Sequence, residues 1–532
     1  MVVRSLRLLD LKSPVESQRW TVFSKEETMR RASPSLSSAR RAAIVFCLIG
    51  TLHVPLLLWA RNQTIITRPI VPFAIYTALG VLIFLSVQRL GRTGGHIGLM
   101  IGFLLTSAGP SATGFPGGTA TTISLAGLGA LIVWRLGTSS LAKGFLLATA
   151  MYMFLVPAYA FANARLNWGD SMLPKYSPLD FGENRHEGDV LLVVMDALGG
   201  PISLRDEFAF DLQPTLNRLI AAGFQSPVTF ASDSTTQTSV ASSLLMQYSV
   251  RDRTTLNSAT LAGLREVIAG DNELVRAFRY WNYEITMVES GWGISRCGPA
   301  IDHCVPAPIF DDALAAIAEN SVVAGHLEQH FGSGFSQGTL ATRSWLLEDL
   351  PELLINGRND LIFTHLMAPH PPLFLDSNCK VRGDERYSGL GLWRPGDTPA
   401  VIELRKNAFL DQVRCVVSIM DALIPLLTES TSVILLGDHG SDASMQLATE
   451  PVEWSTRQIL FRQNVFFAAR LPAGCALPER TVLPNVIRAT VSCLGSTDLL
   501  PLENRVFLTV SDLGSTVVEL PNTKVVELLS ST

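Results

Sequence analysis

Apolar runs of membrane length crowd the first third of this 532-residue chain and then stop. A helix crossing a bilayer needs about 20 mostly apolar residues, because its backbone polar groups must be satisfied within the segment itself. Ala42 to Ala60, Ile70 to Leu90 and Lys143 to Ala162 meet that requirement. His96 to Gly109 and Thr119 to Trp134 are shorter and rich in Gly, Ser and Thr, small residues that let helices approach closely. The expectation is an N-terminal α-helical membrane bundle of about five spans over 42–162. A polar leader, 1–41, precedes it and a linker, 163–187, follows. From about residue 180 apolar and charged residues alternate as in a water-soluble domain, assigned here to 188–532. A chain of this length also exceeds what one hydrophobic core organises.

Charge around the apolar runs sets their direction, since short cytoplasmic loops concentrate Lys and Arg. Arg30, Arg31, Arg40 and Arg41 precede the first run, Arg89 and Arg92 lie in the second connection, and Arg135 and Lys143 flank the fourth. Gly109 to Gly118 carries no charge, while Arg61 and Arg68 in the first connection are a minority against the pattern. An odd number of spans and a cytoplasmic N-terminus put 188–532 on the extracytoplasmic, periplasmic side of the inner membrane. The polar, Arg-rich leader argues against a cleaved signal peptide. Cysteine usage agrees: Cys297, Cys304, Cys379, Cys415, Cys475 and Cys493 all follow the last apolar run, an even number where disulfides persist. Cys297 and Cys304 suit a local bridge, and the pairing of the other four stays open. The formal net charge of -5, without a dense Lys/Arg stripe, excludes nucleic acid as an expected partner.

Three stretches of the second part share one pattern. Asp189-Val-Leu-Leu-Val-Val-Met-Asp196, Asp360-Leu-Ile-Phe-Thr-His365 and Ser432-Val-Ile-Leu-Leu-Gly-Asp438-His439 are continuously apolar and end in an acid or a histidine. Strands of a parallel sheet, buried on both faces, read this way. Helical patterns fall between them, over Pro214 to Ala222 with Gly223 following, and from about Val401 to Leu427. The predicted domain is α/β, a mainly parallel sheet with helices on both faces. Ligands collect at the carboxyl ends of such strands. Asp196, Asp438 and His439 would converge there, and two carboxylates with an imidazole suit a divalent metal. Taken singly, an Asp at a strand end is more often a turn or a cap.

The hydroxyl-rich stretch Ser232 to Met246 adds a second element. A hydroxyl attacks poorly at neutral pH unless a metal or a base lowers its pKa, so a reactive Ser or Thr belongs beside the metal. A helix beginning near Thr238 would also aim backbone N–H groups at an anion. By pattern alone the stretch is equally a capping run.

In order along the chain stand Met-Asp196, Leu-Asn-Arg-Leu-Ile-Ala-Ala-Gly-Phe224, Thr236-x-x-Ser-Val-Ala-Ser-Ser-Leu, Phe363-Thr-His-Leu-Met-Ala-Pro-His-Pro-Pro372 and Gly437-Asp-His-Gly440. This series, over about residues 188–470, resembles membrane-anchored sulfatase-domain proteins of the alkaline phosphatase superfamily. Phosphoethanolamine transferases and lipoteichoic acid synthases are among them. The resemblance implies one divalent metal ion, zinc or manganese with magnesium possible, held by Asp196, Thr236, Asp438 and His439. It makes Thr236 the nucleophile, with Thr235 and Thr238 as fallback candidates, and gives His365 and His370 the substrate phosphate or a further metal. As an imidazole, His370 is expected to bind the non-bridging oxygens or to protonate the leaving alkoxide as general acid. Membrane lipids become the expected partners, a phospholipid as donor and a lipid or glycan as acceptor.

Departures from the pattern narrow the expectation. Thr236-Gln-Thr-Ser-Val240 has neither the Pro nor the Arg of the sulfatase C/S-x-P-x-R motif, which disfavours sulfate-ester hydrolysis through formylglycine. Ala197 follows Asp196 where alkaline phosphatases place a second acid, so a single metal is expected. Ser-Asp-Ala-Ser-Met-Gln after Gly440 lacks the downstream histidine of phosphoethanolamine transferases. The leading expectation is a phosphoryl-group transferase of phosphoethanolamine or phosphoglycol type, working through a covalent phospho-threonine. The alternatives are a phosphodiesterase or sulfuric ester hydrolase of the same fold and, from another class, a non-catalytic envelope protein. A transporter is disfavoured because the expected spans hold no internal acidic or basic residue of the kind that marks an ion or substrate path, and His53 alone does not make one.

Overall fold

The structure is a computed structural model. It describes residues 179–291, 295–307, 334–355, 358–382, 397–445, 447, 450–510 and 516–530, together with Leu155, Ala158, Tyr159 and Ala162. The five expected spans therefore lie outside the described residues apart from those four, which are helical and exposed. Among the described residues no helix is long and apolar enough to cross a membrane. Ala158 and everything described after it belong to one compact unit.

Strands β1 (Val190–Met195), β5 (Asp360–Leu366) and β6 (Ser432–Gly437) are the three runs expected from the sequence. Each residue of all three is buried. With β3 (Glu284–Val288), β4 (His303–Val305) and β8 (Phe467–Arg470) they form a six-stranded sheet of order β4-β3-β5-β1-β6-β8, in which only β8 runs antiparallel to its neighbour. The short strands β2 (Val228–Phe230), β7 (Asn464–Val465) and β9 (Arg480–Val482) form a separate three-stranded sheet. Register aligns the strand ends: Met195 pairs with both Leu366 and Gly437. Asp196, Asp438 and the end of β5 thus emerge at one edge although they are far apart in the chain.

Alternation along β1 divides the core. Val190, Leu192 and Val194 join one apolar cluster, and Leu191, Val193 and Met195 join the other. On the first face pack α3 (Thr236–Leu245), α4 (Ser258–Ile268), α5 (Glu273–Tyr280), α10 (Leu483–Leu494) and α11 (Asn522–Ser530). On the second pack α1 (Pro201–Phe208), α2 (Gln213–Ala221), α7 (Leu350–Ile355), α8 (Pro399–Leu423) and α9 (Thr456–Gln463). Helix α6 (Gly334–Ser344) runs on through a π turn, Trp345–Asp349, into α7. This covering of both faces is why the central strands are apolar without interruption.

Three helical expectations shift at their ends, and the first, over Pro214 to Ala222, is α2, which starts and stops one residue sooner. The pattern over Val401 to Leu427 is α8, which starts earlier at Pro399, where proline suits the first turn and Thr398 caps it, and passes into a single 3-10 turn at Ile424–Leu426. The helix expected near Thr238 begins two residues sooner, at Thr236, because Thr235 is already extended at φ -129° and serves as its N-cap residue. Residues 179–187, on the approach to β1, pack onto the domain: Phe181 is buried, and the Trp281 indole donates to Gly182 O.

All six cysteines of this part are paired, Cys297–Cys304, Cys379–Cys415 and Cys475–Cys493. The local bridge is the one expected from spacing. The other two join segments that only the fold brings together.

Candidate metal centre and nucleophile

Asp438 and His439 leave β6 between two glycines that the fold requires. A Cβ on Gly437 would stand 2.1 Å from Leu198 O, and one on Gly440 would stand 2.1 Å from Phe461 O. Neither position has room for a side chain, which accounts for the Gly-Asp-His-Gly pattern. Asp438 Oδ1 accepts the backbone N–H groups of Ala197 and His439, each at 2.9 Å. Ala197 sits at φ 61°, a left-handed conformation costly for a residue with a Cβ, and this turn aims its N–H across the sheet edge. With Oδ1 so engaged, Asp438 Oδ2 is left facing the site.

Helix α3 brings the nucleophile candidate. Among the three threonines, Thr235 and Thr238 occupy one another, Oγ1 to Oγ1 at 2.9 Å, and the Thr238 hydroxyl also donates to Thr235 O. Thr236 points elsewhere: its hydroxyl lies 2.9 Å from His439 Nε2 and 3.5 Å from Asp196 Oδ1. His439 Nδ1 meets Gly440 O at 2.9 Å. A carbonyl only accepts, so Nδ1 carries the ring proton and Nε2 presents its lone pair to Thr236 and the carboxylates. His439 Nε2 is 3.5 Å from Asp438 Oδ2 and 3.8 Å from Asp196 Oδ1. As the first residue of α3, Thr236 also stands where the helix leaves its N–H groups open to an anion.

His365 lies inside β5 and is fully buried. Its Nε2 is 3.5 Å from Asp196 Oδ2, and its Nδ1 is 2.6 Å from Ser295 Oγ. Asp196, His365 and Asp438 have ligand atoms mutually within 4.8 Å. His365 therefore stands with the acidic pair. His370 is further out, half-buried on the proline-rich loop after β5, with its ring 6.3 Å from that of His439, centroid to centroid. Its Nδ1 meets Pro371 O. All six residues singled out from the sequence thus gather at one sheet edge.

A cation suits this pocket. Asp196 Oδ2 and Asp438 Oδ2 are buried and accept no hydrogen bond. Unpaired buried carboxylate oxygens are costly unless a cation meets them. Burial opposes charge on both groups. At Asp196 the imidazoles of His370, His365 and His439 overcome it and hold the carboxyl below the usual range. At Asp438 burial and the neighbouring Asp196 charge push the pKa well above it, against the two backbone N–H donors. His439 is held well below its ordinary value by burial and by the nearby Arg462 guanidinium, which keeps the imidazole neutral. A divalent ion reverses this logic by favouring both ionised carboxylates. The other cluster of metal-ligand side chains among the described residues, Glu289 with Cys297 and Cys304, has its sulfurs in a disulfide and leaves no thiolate to bind metal.

Three residues that no sequence signal marks hold this arrangement. Arg462 donates from Nε to Ser234 O at 2.8 Å and from Nη1 to Gly440 O at 2.6 Å, tying the loop before Thr236 to the loop after His439. Gln412, fully buried in α8, donates to Pro369 O and His370 O and accepts from Leu375 N. A run of prolines has few N–H groups of its own, so this amide supplies the bonding the His370 loop lacks. Ser295 is the third. An isolated Arg, Gln or Ser has no periodicity or motif, and only spatial neighbours reveal these roles.

No protein family and no curated protein matches the chain. Solved structures do show similarity. The integral membrane lipooligosaccharide phosphoethanolamine transferase A from Neisseria meningitidis is 14% identical, over 82% of this chain and 76% of that one, at a TM-score of 0.38. The phosphonate monoester hydrolase SpPMH from Silicibacter pomeroyi is 14% identical, over 62% and 81%, at 0.39. The C-terminal periplasmic domain of EcEptC from Escherichia coli, in complex with zinc, is 12% identical, over 60% and 87%, at 0.36. At such identities and scores the likeness carries no weight for activity, which rests on the side chains.

Proposed function

We propose that this protein is a membrane-anchored, metal-dependent phosphoryl-group transferase of phosphoethanolamine or phosphoglycol type. Its donor is a phospholipid and its acceptor an envelope lipid or glycan. The observation that carries the proposal is the aim of Thr236: one buried hydroxyl at a helix start, within 3.5 Å of a histidine nitrogen and a carboxylate whose neighbours suit a cation. Asp196, His365, Asp438 and His439, with Thr236 itself, are the residues that would hold one divalent ion, zinc or manganese from the mixed oxygen and nitrogen donors. Such an ion, when bound, neutralises the paired carboxylates and lowers the pKa of a neighbouring hydroxyl.

Thr236 Oγ attacks the phosphorus of the donor diester. A P–Oγ bond forms, the ester P–O bond to the leaving alkoxide breaks, and the Thr236 proton passes to one of the acceptors the hydroxyl faces. His370, at the outer side of the cluster, gives a proton to the leaving alkoxide. The acceptor hydroxyl then attacks the phospho-threonine with the proton transfers reversed, releasing Thr236. Three disulfides among the described residues support an oxidising, extracytoplasmic setting. A membrane anchor would concentrate the domain near lipid substrates.

The test is mass spectrometry of the full chain after exposure to membrane phospholipid, with envelope lipids and glycans profiled from cells carrying wild type or Thr236→Ala. A phosphoethanolamine or phosphoglycerol adduct on the peptide containing Thr236, absent in the variant and matched by a missing envelope modification, is the expected result. Product formed in water without an acceptor would make the protein a hydrolase. Unchanged turnover in Thr236→Ala would remove Thr236 as nucleophile.

A further inference from the structure

We propose that Ser295 is the positioning residue of His365, setting which ring nitrogen faces the metal centre. The inference deepens the metal-site part of the proposed function and rests on it. Ser295 is 1% exposed and its hydroxyl lies 2.6 Å from His365 Nδ1, while Nε2 on the opposite side of the ring faces Asp196 Oδ2 at 3.5 Å. A histidine that binds a cation through one nitrogen holds its proton on the other, and the partner of that proton fixes both tautomer and ring angle. His439 has a carbonyl in this role, Gly440 O, which only accepts and so locks one tautomer. Ser295 differs because a hydroxyl both donates and accepts. The Ser295 hydroxyl can donate to Nδ1, with Nε2–H toward Asp196, or accept from Nδ1–H, which would leave the Nε2 lone pair toward the centre for an ion.

The loop carrying Ser295 is fastened for this purpose by two independent devices. Cys297–Cys304 closes it covalently two residues further on. Glu289, directly after β3, accepts Cys297 N from the loop and Ala307 N from just beyond β4 at 3.1 Å each, one carboxylate oxygen to each. Because β3 pairs in parallel with β5, with Val288 opposite Thr364, the loop leaves the sheet beside His365. A register-aligned strand therefore delivers Ser295 to the ring, and the bridge with Glu289 keeps it there.

The experiment measures zinc affinity of the chelator-stripped full chain by competition with a fluorescent indicator, and the visible absorption of the cobalt-substituted protein. Ser295→Ala should weaken zinc about 10- to 100-fold and change the cobalt spectrum, the scale on which a ligand's orienting partner acts. Ser295→Thr, which keeps the hydroxyl, should restore both. In a His365→Ala background Ser295→Ala should add no further loss, because the serine acts only through the ring. Unchanged affinity in Ser295→Ala, alongside lost binding in Asp438→Asn, would overturn the inference and leave the metal centre standing. A further loss in the His365→Ala background would make Ser295 a general packing residue and overturn it as well. If the wild type binds neither zinc nor manganese, the inference and the proposed function fall together.

Discussion

Replacing Asp233 by asparagine should stabilise the protein at neutral pH and barely affect it in acid. Asp233 stands three residues before Thr236, 1% exposed, with Oδ2 accepting the hydroxyls of Ser232 at 2.6 Å and Ser242 at 2.8 Å. Oδ1 has no partner. Burial raises its pKa from 3.8 to about 6, against the pull of the two hydroxyls. The folded state therefore binds this proton more tightly than the unfolded chain does. Below about pH 4 both states are protonated and nothing is lost. As pH rises through 6 the folded state must carry a buried charge, a penalty of about 3 kcal/mol once complete. Asparagine keeps an oxygen for Ser232 and Ser242 but never ionises. The stability gap between Asp233→Asn and wild type should widen by about 2 kcal/mol between pH 4.5 and pH 8. Urea unfolding of the full chain, followed by tryptophan fluorescence at a series of pH values, reads this directly. Parallel pH profiles for the two proteins would refute the reasoning, since the ionised carboxylate would then cost the fold nothing. Turnover should persist in Asp233→Asn, because Ser242 still anchors α3 and with it Thr236.

Three further outcomes follow from the site. Gln412→Leu strands Pro369 O, His370 O and Leu375 N, and should cost about 2–4 kcal/mol in urea unfolding and slow turnover through His370; a variant as stable as wild type would contradict the role given to the amide. Gly440→Ala sets a Cβ 2.1 Å from Phe461 O and must displace the His439 loop, so metal retained after desalting should fall while the far core stays folded; full retention would count against the close approach. Asp438→Asn removes a charge from the buried pair and should lose tightly bound metal in elemental analysis; undiminished content would contradict the proposed coordination.

What could be read from the sequence was whatever local periodicity encodes. Strands covered on both faces must be apolar at every position, so β1, β5 and β6 show themselves as continuous runs, and the polar residue ending each run marks the sheet edge where sites form. An even number of cysteines beyond the last apolar run likewise implies bridges without naming the pairs. The spans expected over 42–162 belong to the same class of inference and fall on residues outside those described, four excepted.

Tertiary structure alone decided which groups meet. Thr235, Thr236 and Thr238 are equivalent as letters; the helix start at Thr236 turns one hydroxyl toward His439 and closes the other two on each other. His365 and His370 are five residues apart, yet the strand carries the first to the acidic pair and the loop holds the second at the margin. Ser295, Gln412 and Arg462 act across long stretches of chain, on partners 70, 42 and 228 residues away. Contacts of that span depend on strand register and packing, which no short pattern contains. The sequence on its own therefore determined the class of fold and the edge at which chemistry gathers. The packed fold decided which hydroxyl faces the acidic pair, which histidine stands beside it, and what holds each in place.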